Sequence, residues 1–550
     1  MKPESFLKGT AILIAAAVVT KVFGALFTIP LARLIGAEGV GLLHMASPVF
    51  TMALVLCVSG LPVATSKLVA ERLAQNDRDG ARQVLLVCLA FVVPVGTALF
   101  AVLCGGAGFL STTLIRDPRA YFAMRYLSPT LVVSPIASVL RGYFQGHRTM
   151  IPTAASQVVE QVARVVAGLG FAYALLPRGV HWAAAGAAAG SWAGAAAGLC
   201  LLAAFYFRTA KEQRGSRSRR GSPRARKPSR RPPGRANTPR PRATAGATLR
   251  QLLSLAGPTT LAAFVLPLLE TVNALIVPAR LQQAGFAVAE ATRMYGHLAV
   301  MAVGLVALPG VVTTAVATSL VPQVAAADAG GEVHRARLLA RQAVRSAVVI
   351  GLPAAAGLAV LPTQICALLF NDPAGGAPLS VMAFASLFFC LQQTTAGVLN
   401  GSGRVLLPAR NGLVGAVVAG GVNYVLTAVP GIGIRGAAFG TGLAFLVAGV
   451  LNTIAVADVT GEGVRLMSAG WRAVAGCVVM VPAVKGVYRL LFGYTCSNSV
   501  STVAAIVAGA FLYGCVLIIL GEIAQREVAA IPLVGRPLAH ALRSAGILRK

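Results

Sequence analysis

The stretch AAAVVTKVFGALFTIPLARLIG, residues 15 to 36, decides how the chain is read. It is apolar over a length that crosses a bilayer, yet it carries an ammonium, Lys21, inside the apolar run. A hydrocarbon core roughly 30 Å thick takes about 20 residues of apolar helix. Working outward, the same pattern recurs through all 550 residues, which are 56% apolar and 12% charged with a mean hydropathy of +0.75. Barrel strands would be shorter and would alternate, so the continuous runs read as helices. The fold class is an all-α polytopic membrane protein with fourteen transmembrane helices, at 10–30, 41–65, 83–110, 122–144, 152–176, 182–207, 251–279, 294–324, 343–369, 379–400, 406–428, 435–457, 471–492 and 499–521.

The start, MKPESFLKGTAILIAAAVV, has the form of a secretory signal, but thirteen further spans favour a retained first helix. An even helix count puts both termini on one side. That side holds most of the Lys and Arg of the loops even when the longest loop is set aside, so both ends are expected in the cytoplasm. The nine cysteines form no CxxC pair and lie mostly in apolar segments, which argues for neither a disulfide framework nor a metal.

Residues 208–250 contain RGSRSRRGSPRARKPSRRPPGRANTPRPR, with fifteen Lys and Arg against the single acid Glu212. Such Arg, Pro, Ser and Gly content cannot bury a core and reads as a disordered basic linker. It serves first as a solvated spacer and second as a contact for anionic membrane lipids; no nucleic acid is expected. The net charge of +31 therefore overstates the case for a polyanionic partner.

The linker separates two halves that resemble each other. IRDP at 115–118 returns as FNDP at 370–373, and QGHRTMIP at 145–152 returns loosely as NGSGRVLLP at 400–408. GLPVATSKLVA at 60–70 pairs with ALPGVVTTAVATSLVP at 307–322, and IPLAR at 29–33 with VPARL at 277–281. The shared order implies a parallel duplication: an N-lobe over 1–207, a C-lobe over 251–457, and two extra helices with a cytoplasmic tail over 458–550. Two such lobes suit alternating access about a central site.

Four prolines, Pro30, Pro94, Pro267 and Pro353, interrupt helices and permit bends. GAAAGSWAGAAAG sets Gly186, Gly190, Gly194 and Gly198 on one strip where another helix can come close, within the chain or in a second copy. GIGIRG at 431–436 fits GxGxxG but has no preceding strand, so it reads as a glycine turn. There is no GxxxxGK[ST], HExxH or GxSxG, so the chain is not read as an enzyme, and no cofactor is expected.

Few charges lie near lipid depth. A charge at the centre of a helix costs roughly 2.5 to 3.5 kcal/mol, so each should face protein or water. Lys21 is read as a contact for an anionic substrate, against a buried ion pair with Glu160 or Glu270. In SQVVEQVAR, Glu160 and Arg164 share one helical face and can neutralise each other. Glu270, in PLLETVN, is either a partner for a basic group or an ion-coupling carboxylate; Arg33, Arg280 and Arg293 lie nearer the far face.

Three stretches, TKVFGALFTIPLARLIGAEGVGLLHMASPVF, LRGYFQGHRTMIPTAASQVVEQVARVV and MYGHLAVMAVGLVALPGVVTTAVATSLVPQVA, carry a resemblance. They are similar to the polysaccharide-transport branch of the multidrug/oligosaccharidyl-lipid/polysaccharide flippase superfamily, with sporulation stage V proteins and lipid II flippases as the nearest groups. The resemblance implies a MATE-like fold of two pseudo-symmetric six-helix lobes plus two C-terminal helices. It implies movement of undecaprenyl-pyrophosphate-linked oligosaccharide, including peptidoglycan precursor, from the inner to the outer leaflet, with cell-wall synthesis proteins as partners. Lys21, Arg33, Arg164 and Arg293 become the substrate-binding candidates, with Glu160 and Glu270 as coupling or ion-pair groups, and coupling to an ion gradient or to the membrane potential stays open. The alternative is a cation-coupled multidrug exporter of the same superfamily, though neither Asp nor Glu occurs between Gly9 and Ala37.

Overall fold

The computed structural model describes residues 6–75, 77–220, 244–461 and 466–522; within these, some side chains of the first helix and of 258–269, Lys21 among them, fall outside the description. Every regular element among the described residues is helical, and each of the fourteen expected spans falls on helical backbone. By length and apolarity ten helices among the described residues qualify to cross a membrane, or eleven when the bent pair Pro373–Met382 and Ala385–Gly401, angled at 60°, counts as one span. The number is below fourteen partly because Phe27–Ala74 enters as one stretch, and Leu406–Leu426, diluted by Arg410, Asn411 and Asn423, does not qualify.

Breaks fall where the backbone demands them. The helix Phe6–Val58 breaks at Gly36 (φ 68°, ψ 175°), a conformation open to glycine, six residues after Pro30, which keeps helical backbone. The helix Val333–Val360 stops ahead of Pro362, which starts the next helix. GIGIRG is a turn: Gly433, at φ 50°, precedes the helix Ile434–Thr460. Two π-helical turns, Leu110–Leu114 and His297–Ala302, interrupt the ladder where wide turns often mark functional sites.

Helical backbone reaches into both ends of the expected basic linker. The helix from Val180 runs through Arg220, over residues with good helix propensity such as Ala210, Lys211, Glu212 and Gln213, and the next begins at Ala245; residues 221–243 lie outside the described residues.

The chain forms two compact units. One comprises Met1–Phe27, Val49–Gly108 and Tyr121–Phe264; the other comprises Thr28–Pro48, Phe109–Ala120 and Val265–Lys550. The first has a core of Leu61, Val84, Leu85, Cys88, Val139 and Leu202; the second has one around Leu320, Val324, Ala343, Val398 and Val456.

Packing fixes the register of the internal repeat at an offset of 255. Arg116 and its mate Asn371 are both left-handed, at φ 60° and 56°, as are Arg148 and Gly403, at 57° and 76°. A Cβ at Gly142 would lie 2.6 Å from the Pro62 carbonyl oxygen, and one at Gly397 2.9 Å from Ala317 Cα. One at Gly146 would lie 2.7 Å from Val69 Cβ, and one at Gly401 2.8 Å from Val324 Cβ. Residues 62 and 69 thus correspond to 317 and 324. This corrects the pairing of 60–70 with 307–322: close helix approach matches it to 315–325, although the letters ATS suggest otherwise.

Candidate functional site

In the first unit, the helix Ile151–Leu175 presents Glu160 and Arg164, and the helix Thr130–Gly146 presents Arg141. Glu160 takes both guanidinium groups: Arg164 Nη2 donates to Oε1 at 3.1 Å and Arg141 Nη2 to Oε2 at 2.5 Å. Arg141 Nε also donates to Ser156 Oγ at 3.0 Å, which fixes its plane. The expected Glu160–Arg164 pair is therefore half of a triad of two cations and one anion. Its side chains are 16%, 16% and 33% exposed for Arg141, Glu160 and Arg164. Arg164 Nε is buried without a hydrogen-bond partner among the described residues. One positive charge is left over in a place where charge is costly.

The glycine strip places this triad. A Cβ at Gly194 would stand 2.5 Å from the Glu160 carbonyl oxygen, and one at Gly198 3.1 Å from Glu160 Cβ. At Gly186 it would meet Phe171 O at 2.6 Å, and at Gly190 it would fall on the Gly168 backbone. The strip on Val180–Arg220 thus faces Ile151–Leu175 of the same chain and carries the charged helix at backbone contact.

The second unit holds another polar cluster, built on the two repeated aspartates. Asp117, fully buried, accepts from Arg119 Nε at 3.0 Å, Arg119 Nη2 at 2.8 Å and Thr292 Oγ1 at 2.7 Å. Arg119 also pairs with Glu38. Asp372 pairs with His297 Nε2 at 2.8 Å and lies 3.6 Å from Arg293, whose side chain is 56% exposed. Both carboxyls lie outside the spans. Burial pushes Asp117 upward, but hydrogen bonds from Arg119 and Thr292 outweigh it and hold the group below its ordinary value. Asp372 is likewise held low, the His297 hydrogen bond overcoming burial, and the bond to Asp117 holds the Arg119 guanidinium above its usual value.

The remaining candidates are placed differently. Arg33 donates from Nε to the Leu369 carbonyl at 2.7 Å and from Nη2 to that of Leu368, so it caps the helix Pro362–Phe370. Arg280, in the VPARL counterpart, caps similarly: Nε donates to Tyr424 O at 2.7 Å, and the guanidinium lies 4.0 Å from the Tyr424 ring. Glu270 is exposed and makes no salt bridge among the described residues, while Lys21 is in helical backbone with its side chain outside the description. Arg141 was not among the expected site residues, though its position within 122–144 signals it; Asp117 and Asp372 were legible only as repeat markers.

These observations describe a duplicated helical membrane protein with spare positive charge in one half, and comparison with known families supplies its kin. The model of the family described as "Polysaccharide biosynthesis protein" matches residues 6–327. The chain belongs to that family. The MatE family model matches residues 295–425. Stage V sporulation protein B of Bacillus subtilis (strain 168) is 30% identical over 536 residues, covering 98% of this chain and 99% of that protein. Lipid II flippase MurJ of the same organism is 23% identical over 440 residues, 76% of each chain. Among solved structures, an inward-facing multidrug resistance MATE family transporter of the MOP superfamily shares the fold at a TM-score of 0.63 and 16% identity, over 80% of this chain and 94% of that one. As a member of the polysaccharide biosynthesis family, the protein is a multi-pass membrane protein that shares its fold with a MATE family transporter.

Proposed function

We propose that the protein is a flippase that carries undecaprenyl-pyrophosphate-linked oligosaccharide, of the lipid II type, from the inner to the outer leaflet by alternating access. The lobes are 1–207 and 251–457, and both termini are cytoplasmic. Lys21, Arg164, Arg293 and Arg33 attract the anionic headgroup while the isoprenoid tail stays in lipid. The observation that supports this reading is the triad Arg141–Glu160–Arg164, which keeps a net positive charge at membrane depth when one arginine would have balanced the acid. A pyrophosphate crossing hydrocarbon needs such a wet or cationic passage. The name of one Bacillus relative, Lipid II flippase MurJ, gives the same cargo class, and that of the other, Stage V sporulation protein B, gives sporulation as a setting.

Cation export is supported less well. A coupling carboxylate must be able to lose its partner, and both oxygens of Glu160 are engaged by arginines, leaving Glu270.

The test is leaflet accessibility of lipid II in cells depleted of this protein and lacking other flippases. Depletion should remove outer-leaflet lipid II, wild-type chain should restore it, and Lys21→Ala should lower it at least about tenfold while inserting normally, as expected for loss of a charge-assisted contact. Unchanged exposure after depletion overturns the reading.

A further inference from the structure

We infer that the crossing of residues 37–41 with residues 292–296, bolted by Asp117, is a gate that is shut in this structure and parts in each cycle. The crossing is isologous. A Cβ at Gly41 would fall on the Thr292 carbonyl oxygen, and a Cβ at Gly296 would fall on the Ala37 carbonyl oxygen. Gly41 and Gly296 stand 255 apart, and so do Ala37 and Thr292, the same offset that relates the aspartate loops. Each half of the repeat therefore offers the other the same small patch, as two subunits do across a two-fold axis. At its two glycines the contact is backbone against backbone, with no side chain of either glycine to unthread when it separates.

The polar bolt beside it is not symmetric in what it joins. Asp117, from the first half, accepts from the Thr292 hydroxyl of the second half. Arg119 holds Asp117 and also Glu38, which is part of the crossing segment itself. Asp372 grips the same stretch one turn on, at His297, but from its own half. If the halves part here, the Asp372–His297 contact travels intact and the Asp117–Thr292 contact breaks. The segments that must move are jointed: Gly36 is left-handed, and π-helical turns precede the Asp117 loop and follow Gly296.

The inference concerns motion and holds whatever the cargo. It is tested with the exposed Cys200 and Cys496 replaced by serine, and with a reporter cysteine in place of Ala37, which is 4% exposed. Membranes are labelled with an impermeant maleimide from each side. Asp117→Ala and the milder, nearly isosteric Thr292→Val should each raise the labelling rate about tenfold, since a lost hydrogen bond to a charged group shifts an equilibrium by about that factor. Asp372→Ala removes an aspartate from within one half and should stay within about threefold. Labelling at the parent rate in both Asp117→Ala and Thr292→Val overturns the gate. So does an Asp372→Ala rate equal to that of Asp117→Ala, because the aspartates would then only hold the fold.

Discussion

The helices Ile151–Leu175 and Leu406–Leu426 begin one repeat offset apart, and they solve the same burial problem with different chemistry. The first carries Glu160 and Arg164 and receives Arg141 from its neighbour. At the matching places the second half has Gly415, Ala419 and Ala396. Its buried contacts to neighbouring helices are between amides: Asn411 donates to Asn452 at 2.9 Å, and Asn423 to Asn273 at 2.8 Å, with Asn411, Asn423 and Asn452 buried, and the helix's charge, Arg410, sits in its first turns, donating to Asn411 Oδ1 at 3.4 Å. A bundle of this topology therefore needs no charge at that depth. The triad in the first half is a local addition at a real insertion cost, which is why it belongs with function and not with architecture.

That contrast is broken most sharply by removing the charge without leaving a hole. The triple variant Arg141→Met, Glu160→Leu, Arg164→Met replaces the whole network with apolar groups of similar size, a change that is often neutral or stabilising in buried ion clusters. It should melt within about 2 kcal/mol of the parent in detergent, yet lower outer-leaflet lipid II at least about a hundredfold. Glu160→Ala alone should behave in the opposite way, losing about 3 kcal/mol because two arginines are left facing each other. The amide pair sets the scale: Asn411→Leu with Asn452→Leu removes both partners together and should cost less than about 1 kcal/mol with transport retained. A triple variant that still transports would make the triad structural and dissolve the distinction between the halves.

Backbone contact sharpens the comparison at the next level. Gly194 lies against the helix that bears the triad, and a Cβ there would stand 2.5 Å from the Glu160 carbonyl oxygen and 2.9 Å from Arg164 Cβ. Gly194→Ala should cost about 1–3 kcal/mol, the usual penalty for overpacking, and should displace Arg164 as well. Gly105, on the helix Arg78–Phe109, has nothing within 4 Å of an added Cβ, so Gly105→Ala should be neutral or slightly stabilising through helix propensity. Thermal melts of the two variants, with transport measured beside them, separate crowding from a general dislike of alanine.

Much of this was legible in the sequence, because hydropathy over some twenty residues and a repeated word such as IRDP and FNDP are local signals. The Glu160–Arg164 pair was legible for the same reason, since four residues make one helical turn. Arg141 was harder. It sits near the end of its span, where a cation reads as a loop charge, and its partner is 19 residues away. The strip of glycines showed that a helix approaches closely but not which one. Asp117 and Thr292 are 175 residues apart, and their bond depends on a crossing that no local period encodes. The true register of 60–70 was hidden by a coincidence of letters, because packing matches volume and not residue name.

The smallest expected effect compares the two aspartate loops, which the repeat makes equivalent but burial does not. Both carboxyls are held below the ordinary value of 3.8, so each gives stability that is complete above that value and fades as pH falls through its lower folded one. Asp117 is fully buried and receives three side-chain hydrogen bonds from Arg119 and Thr292, whereas the Asp372 side chain is 17% exposed and shares its charge with His297 and Arg293. Protonation at Asp117 therefore strips an acceptor from the fully buried Thr292 hydroxyl and puts a neutral carboxyl beside Arg119 where no water reaches it, while the Asp372 carboxyl can fall back on solvent. Melting the detergent-solubilised protein from pH 6 down to pH 3 should show an acid limb that Asp117→Asn flattens more than Asp372→Asn does. An acid limb untouched by Asp117→Asn would mean that other carboxylates govern it, and that burial alone does not set the two loops apart.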